Sequence, residues 1–289
     1  MSGTIFKSPE GKARIEAWSQ RFLARTAAPV QHRDVPTKFG PSHVLIVGDT
    51  SLPHLVCLHG ALATSAHIAP ELGPLLDRYH VIFPDVPGQS VRGPEVRPSL
   101  KDDSLPRWLL EVCDGLGLGE INLCGASWGG FIAHRTAAAA PERIRRLILL
   151  VPAGIVTGSA WKGITRAALP LMGYKLFGSQ RSLRKFVDSQ LTTWDEEWFR
   201  YFGDVLRDMK LDLRIPPLAR DGDFRDLKAP ALVIAADEDI SFPGRKLVAR
   251  AKELIPHAEV VLLEHCKHVP PMTDESRRAF ADRVAAFLA

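Results

Sequence analysis

The 289-residue sequence predicts an α/β fold with a mostly parallel, eight-stranded sheet, helices on both faces and an inserted helical cap. Three observations predict it. Short apolar runs of buried-strand length recur along the chain, helix-period segments separate most of them, and one long stretch is helical without strand-like runs.

The elements follow in order. Residues 7–28 read as a leading helix, and residues 30–38 and 43–48 as an antiparallel pair turned at Phe39-Gly40-Pro41-Ser42. Six further runs have the β-branched content of buried parallel strands: His54-Leu55-Val56-Cys57-Leu58, Val81-Ile82-Phe83, Ile121-Asn122-Leu123-Cys124, Leu147-Ile148-Leu149-Leu150-Val151, Ala231-Leu232-Val233-Ile234 and Val260-Val261-Leu262-Leu263. Helical periodicity fills residues 104–116, 128–140, 244–254 and 274–288. The alternation breaks once, which divides the chain into a first core part (1–153), a helical cap (154–226) and a second core part (227–289). Ten of the chain's 22 aromatic residues fall in the cap. Such a cap could wall an apolar pocket, with Trp161, Phe177, Trp194 and Trp198 as candidate substrate contacts, or its rings could form a small core of their own.

Composition narrows the class. With 46% hydrophobic and 24% charged residues the chain is neither disordered nor fibrous. A net charge of +4, from 37 basic against 33 acidic residues, is too balanced to demand a nucleic acid. Residues 1–7 lack the apolar core of a secretory signal and no later run is long enough to span a bilayer, so the expectation is a cytoplasmic protein without stable membrane insertion. Cys57, Cys113, Cys124 and Cys266 are far apart and without zinc-like spacing, which favours reduced thiols filling core space. Neither metal nor cofactor is expected.

The strongest chemical signal is Gly125-Ala126-Ser127-Trp128-Gly129, between a strand and a helical run. A serine there must take a sharp, strained turn to present its hydroxyl, and small residues two before and two after avoid clashes across it. The helix N-terminus that follows directs N–H groups at the place where negative charge would develop. Directly after another strand lies Leu58-His59-Gly60-Ala61, so the backbone N–H groups of Ala61 and Trp128 are the expected oxyanion donors, with His59 structural. The acid is expected after the run ending at Ile234, where Asp239, at the end of its turn, is favoured over Asp237 and Glu238. The base is expected after the last strand, where His268 is favoured over His265 because it adjoins the closing helix.

The order Ser127, Asp239, His268, with His59-Gly60 and Asp85-Val86-Pro87-Gly88, resembles the α/β-hydrolase superfamily over nearly the whole chain. Lys7-Ser8-Pro9-Glu10-Gly11-Lys12 and the run Thr37-Lys38-Phe39-Gly40-Pro41-Ser42-His43-Val44 resemble a branch of bacterial carboxylesterase-like serine hydrolases with an N-terminal helix. Two departures stand out: Gln89-Ser90 follows Gly88 where His-Gly is common, and Lys267 stands where glycine usually precedes the catalytic histidine. The resemblance implies ester hydrolysis through an acyl-enzyme, and the aromatic enrichment of the cap suggests a hydrophobic substrate of modest size. The same triad could serve a carbon–carbon bond hydrolase, a lactonase or a thioesterase, and the fold could also serve a ligand receptor with little turnover. The expected partner is the small-molecule ester, and a homo-oligomer is compatible with the sequence.

Overall fold

The structure is a computed structural model and describes residues 4–289. The first three residues of the opening segment read above lie outside the described residues. A single eight-stranded sheet runs in the order β1-β2-β4-β3-β5-β6-β7-β8. Its strands are β1 (Val30–Val35), β2 (Ser42–Val47), β3 (His54–Leu58), β4 (His80–Pro84), β5 (Ile121–Ala126), β6 (Ile144–Leu150), β7 (Ala231–Ala236) and β8 (Glu259–Leu263). β2 is antiparallel to both β1 and β4, and the remaining neighbours are parallel. The chain winds one way from β3 to β4 and then the other way to β5. The carboxyl ends of β3 and β5 therefore flank the switch point at which open α/β sheets place their sites.

The helices are α1 (Pro9–Leu23), α2 (Ser65–Glu71), α3 (Ser104–Gly115), α4 (Trp128–Ala139), α5 (Ala160–Gly163), α6 (Leu169–Phe177), α7 (Gln180–Asp188), α8 (Glu196–Asp208), α9 (Gly244–Leu254) and α10 (Asp274–Leu288). A π turn over Ile164–Ala168 joins α5 to α6. Strand alternation sorts side chains to two faces. On β3, Val56 and Leu58 join Trp108 of α3, Phe131 of α4 and Leu247 of α9, whereas Leu55 and Cys57 join Ala69 of α2 and Val284 of α10. Helix α4 is buried almost all round, as its run of Phe131-Ile132-Ala133 anticipates. No helix among the described residues is long and apolar enough to cross a membrane. All four cysteines are free and buried.

Element ends depart from the sequence reading for local reasons. Helix α1 starts later than residue 7 because the Ser8 side chain accepts a 3.0 Å hydrogen bond from the Gly11 N–H and Pro9 opens the first turn. Strand β1 stops at Val35, before Pro36, which has no N–H to give the ladder. Strand β6 begins at Ile144, ahead of the apolar run, with Arg145 exposed and Arg146 half-buried between buried Ile144 and Leu147, a start that their charge hides from a hydrophobicity reading.

The stretch between β6 and β7 carries α5 to α8. A third apolar cluster joins it to α1: Ile15 and Phe22 pack with Leu183, Trp198, Tyr201 and Val205. Polar contacts reinforce this junction. Arg14 makes a two-pronged pair with Asp208 at 2.8 and 3.0 Å, and the Trp18 indole donates to Asp204 at 2.7 Å.

Candidate active site

Ser127 sits between β5 and α4 with φ of 51° and ψ of −111°, a strained conformation for a residue with a side chain. Its backbone is held on three sides. The Ser127 N–H donates to Leu150 at 2.9 Å, and its carbonyl accepts from Phe131 and Ala153 at 3.0 Å each. The glycines flanking it are dictated by space: a Cβ on Gly125 would run into the Gly129 carbonyl, and one on Gly129 into the carbonyls of Leu58 and His59, all inside 3 Å. The turn thus packs directly against the loop after β3.

The imidazole of His268 places Nε2 2.9 Å from Ser127 Oγ and Nδ1 2.7 Å from Asp239 Oδ2. Asp239 is 3% exposed. Its other oxygen accepts from the N–H groups of Ser241 and Phe242 at 2.7 and 3.0 Å, so both oxygens are engaged. Burial alone would raise its pKa, but the neighbouring His268 and the two backbone donors outweigh it and hold the carboxyl below its usual range. The structure therefore brings together Ser127, Asp239 and His268. His265 has a side chain 91% exposed and turns away from them, and Asp237 instead accepts the Cys266 N–H at 3.0 Å, bracing the histidine loop.

A methyl group at Gly60 would lie 3.9 Å from Ser127 Oγ, so the loop after β3 faces the serine. His59 is fully buried and shapes this loop. Its Nδ1–H donates to the Gly60 carbonyl at 2.8 Å while Nε2 accepts from the Val86 N–H at 2.9 Å, which leaves the neutral tautomer as the fitting form. Burial likewise lowers its pKa. Asp85 anchors the same region by accepting from Ser65 N–H at 2.8 Å and pairing with His43 at 2.7 Å. The backbone N–H groups of Ala61 and Trp128 have no acceptor among the described residues.

Lys267, in the place where glycine was expected, does not adopt a positive φ; that conformation falls on His265, with φ of 51°. Lys267 is used instead as a tether. Its N–H donates to Thr192 Oγ1 at 2.9 Å and its ammonium to the Asp188 carbonyl at 2.7 Å, while Thr192 Oγ1 donates to Val269 at 2.7 Å. The other departure, Gln89-Ser90, lies in a buried loop whose Gly88 takes φ of 72° and donates to Pro94 at 2.7 Å.

The four cap rings suggested by the sequence are not brought together. Trp161 and Phe177 are 73% and 81% exposed, Trp194 lies under the Arg184 guanidinium, and Trp198 packs in the third cluster against Phe22 and His67. The ring against His268 is Phe242, edge-on at 5.4 Å between centroids. Sequence reasoning passed over Phe242, Thr192 and Tyr201. Phe242 stands three residues after Asp239, a proximity that could have flagged it; the other two reach the site only through the fold. Among the described residues no cluster of His, Cys, Asp and Glu could hold a metal ion.

Comparison with known proteins agrees with this architecture. The profile described as alpha/beta hydrolase fold matches residues 53–204, more than half of the chain. The chain belongs to the α/β-hydrolase fold family. Among curated relatives of this α/β hydrolase is carboxylesterase YbfK of Bacillus subtilis, 24% identical, with 88% of this chain and 86% of that one aligned. A 2-hydroxy-6-oxononadienedioate/2-hydroxy-6-oxononatrienedioate hydrolase of Pseudomonas putida is 30% identical over 74% of this chain and 80% of its own. Among solved structures, the naproxen esterase (carboxylesterase NP) of Bacillus subtilis superposes with a TM-score of 0.84 at 21% identity, covering 98% of this chain and 100% of that one. The protein is a carboxylesterase-like hydrolase of this family.

Proposed function

We propose that this α/β hydrolase cleaves a small, hydrophobic carboxylic ester, with Ser127 as nucleophile, His268 as general base and Asp239 as its orienting acid. The observation that carries this reading is the continuous chain from Ser127 Oγ through both nitrogens of His268 to Asp239. His268 takes the hydroxyl proton as Oγ attacks the ester carbonyl. Asp239 keeps Nδ1 protonated and stabilises the imidazolium that forms. The amides of Ala61 and Trp128 receive the negative charge on the tetrahedral oxygen, each worth about 10² to 10³ in rate. His268 then returns its proton to the leaving alcohol, and water hydrolyses the acyl-enzyme with the same base. Residues 154–226 act as the cap over this site.

Relatives named carboxylesterase and a relative named 2-hydroxymuconate semialdehyde hydrolase both occur, so the reaction type is tested with an ester and with a carbon–carbon bond substrate. Hydrolysis of p-nitrophenyl acetate, butyrate and octanoate is measured alongside cleavage of a dienone acid, for wild type, Ser127→Ala, His268→Ala and Asp239→Asn. The reading expects ester turnover that falls by about 10³ or more in each variant. Turnover of the dienone acid alone would move the assignment to carbon–carbon bond hydrolysis, and folded wild type without turnover on either would favour a receptor.

A further inference from the structure

The chain from Ala160 to Phe177 is one continuous helical run, α5, the π turn and α6, and it is docked on one side only. Pro170 and Tyr174 face inward, with the Tyr174 phenol donating to the Gly203 carbonyl at 3.0 Å. Trp161, Ile164, Leu169, Met172, Leu176 and Phe177 are all exposed, several of them by more than half.

The π turn explains how Trp161, Ile164, Leu169, Met172 and Leu176 share a side, with Phe177 exposed at the end of the run. In an unbroken α-helix Leu169 would lie about 140° round the axis from Ile164, five steps of about 100°. The wider π turn over Ile164–Ala168 shortens each step, which brings Leu169 to about 50° from Ile164 and keeps Met172 and Leu176 within about 70° of Trp161. Such turns are frequent at functional sites, and here the turn gathers an apolar ridge on the outer surface.

Cations lie beside that ridge, and Lys162, Arg166 and Lys185 also line a cleft with Asp188, Asp237 and Glu238 without closing an ion pair. The sequence contains no acid between Glu142 and Asp188. Lys162, Arg166, Lys175, Arg181 and Lys185 enter no ion pair among the described residues, whereas Arg200 and Arg207 of α8 pair with Glu196 and Asp204. An apolar ridge with uncompensated cations beside it has the pattern of a helix that lies in an anionic bilayer interface. A second copy of this chain is a poorer fit, because a two-fold contact would set the same cations against themselves.

We propose that the helical run 160–177 docks the protein reversibly on an anionic lipid surface, with Trp161, Met172, Leu176 and Phe177 entering the headgroup boundary and Lys162, Arg166 and Lys175 meeting the lipid charge. The bound helix lies flat and does not cross the bilayer. Docking does not depend on Ser127, so it stands or falls separately from the catalytic assignment.

Co-sedimentation tests it with vesicles of phosphatidylcholine alone and of phosphatidylcholine with phosphatidylglycerol in equal parts. Wild type is expected to bind the anionic vesicles at least tenfold more tightly, the difference shrinking as salt is raised. Lys162→Glu/Arg166→Glu/Lys175→Glu is expected to fall to the level seen with neutral vesicles, each cation near such a surface being worth roughly fivefold. Met172→Ser/Leu176→Ser is expected to lose at least fivefold in vesicle binding while hydrolysing p-nitrophenyl butyrate in solution at the wild-type rate. Thermal melting checks that each variant is folded. No pelleting of wild type, equal pelleting on both vesicle types, or undiminished pelleting of folded variants would overturn the proposal. So would a wild-type dimer on gel filtration that Met172→Ser/Leu176→Ser turns into a monomer, which would make the ridge a contact between copies. Retention on polyglutamate without vesicle binding would assign the ridge to an acidic protein and equally overturn the lipid reading.

Discussion

The Tyr201 phenol, on α8, donates a 2.5 Å hydrogen bond to the carbonyl of Leu62, the residue directly after Ala61. Leu62 holds a φ of 61°, unusual for a side chain of its size, and Tyr201 is 1% exposed. The segment between β6 and β7 thus grips the loop that carries Ala61.

Tyr201→Phe removes that grip with little change in volume and leaves the Leu62 carbonyl without its donor. We expect a stability loss of about 1–3 kcal/mol, measured by urea unfolding. We also expect kcat for p-nitrophenyl butyrate to fall about three- to tenfold with KM little changed, since a shifted Ala61 amide weakens only the charge that develops in the transition state.

Gly129→Ala tests the packing of the serine turn. The added methyl would meet the carbonyls of Leu58 and His59, both backbone atoms of a buried strand end that cannot swing aside. The expected result is a loss of about 3 kcal/mol or more, read as a fall in Tm or as insoluble expression. Gly40→Ala offers a control for ordinary backbone effects, because no atom lies within 4 Å of its added methyl, although its φ of 104° still brings local strain.

Acid should destabilise the fold through buried imidazoles. Burial pushes the pKa of His134 down to about 4 and that of His67 to about 3, whereas the unfolded chain titrates near its ordinary value of about 6.5. Both pKa values are depressed, so below about pH 6.5 the unfolded state binds more protons and stability falls as pH falls through about 6.5 towards 4. Each histidine accounts for about 2 kcal/mol between pH 7 and pH 5. His134→Gln keeps a donor for the Ala153 carbonyl, which His134 Nε2 meets at 3.1 Å, and should remove about that share of the difference between urea unfolding at the two pH values. An unchanged difference would show that His134 is protonated without strain in the folded state.

The sheet was legible because its strands are short apolar runs bounded by turns, and the run His54 to Leu58 coincides with β3 as drawn. The serine turn was legible for a related reason: the serine and both glycines lie within five consecutive residues, and the crowding that requires Gly125 is local, whereas that at Gly129 comes from the carbonyls of Leu58 and His59. Asp239 and His268 are each read from one loop, and the structure places His268 Nδ1 2.7 Å from Asp239 Oδ2. Contacts across the chain carried no such signal. Thr192 and Tyr201 reach the histidine loop and the Ala61 loop from 75 and 139 residues away, and no local pattern marks them. The aromatic residues between β6 and β7 show the converse limit. A count of rings between residues 154 and 226 is silent on direction, and tertiary packing decides that Trp198 is buried against α1 while Trp161 and Phe177, on α5 and α6, are exposed.

The central claim is that Ser127 Oγ becomes acylated, and intact-protein mass spectrometry after rapid quenching of the reaction with p-nitrophenyl butyrate tests it most directly. Wild type should gain the mass of one butyryl group, a peptide map should place it on Ser127, and Ser127→Ala should gain none. Full turnover with no adduct, together with retained activity in Ser127→Ala, would contradict the account.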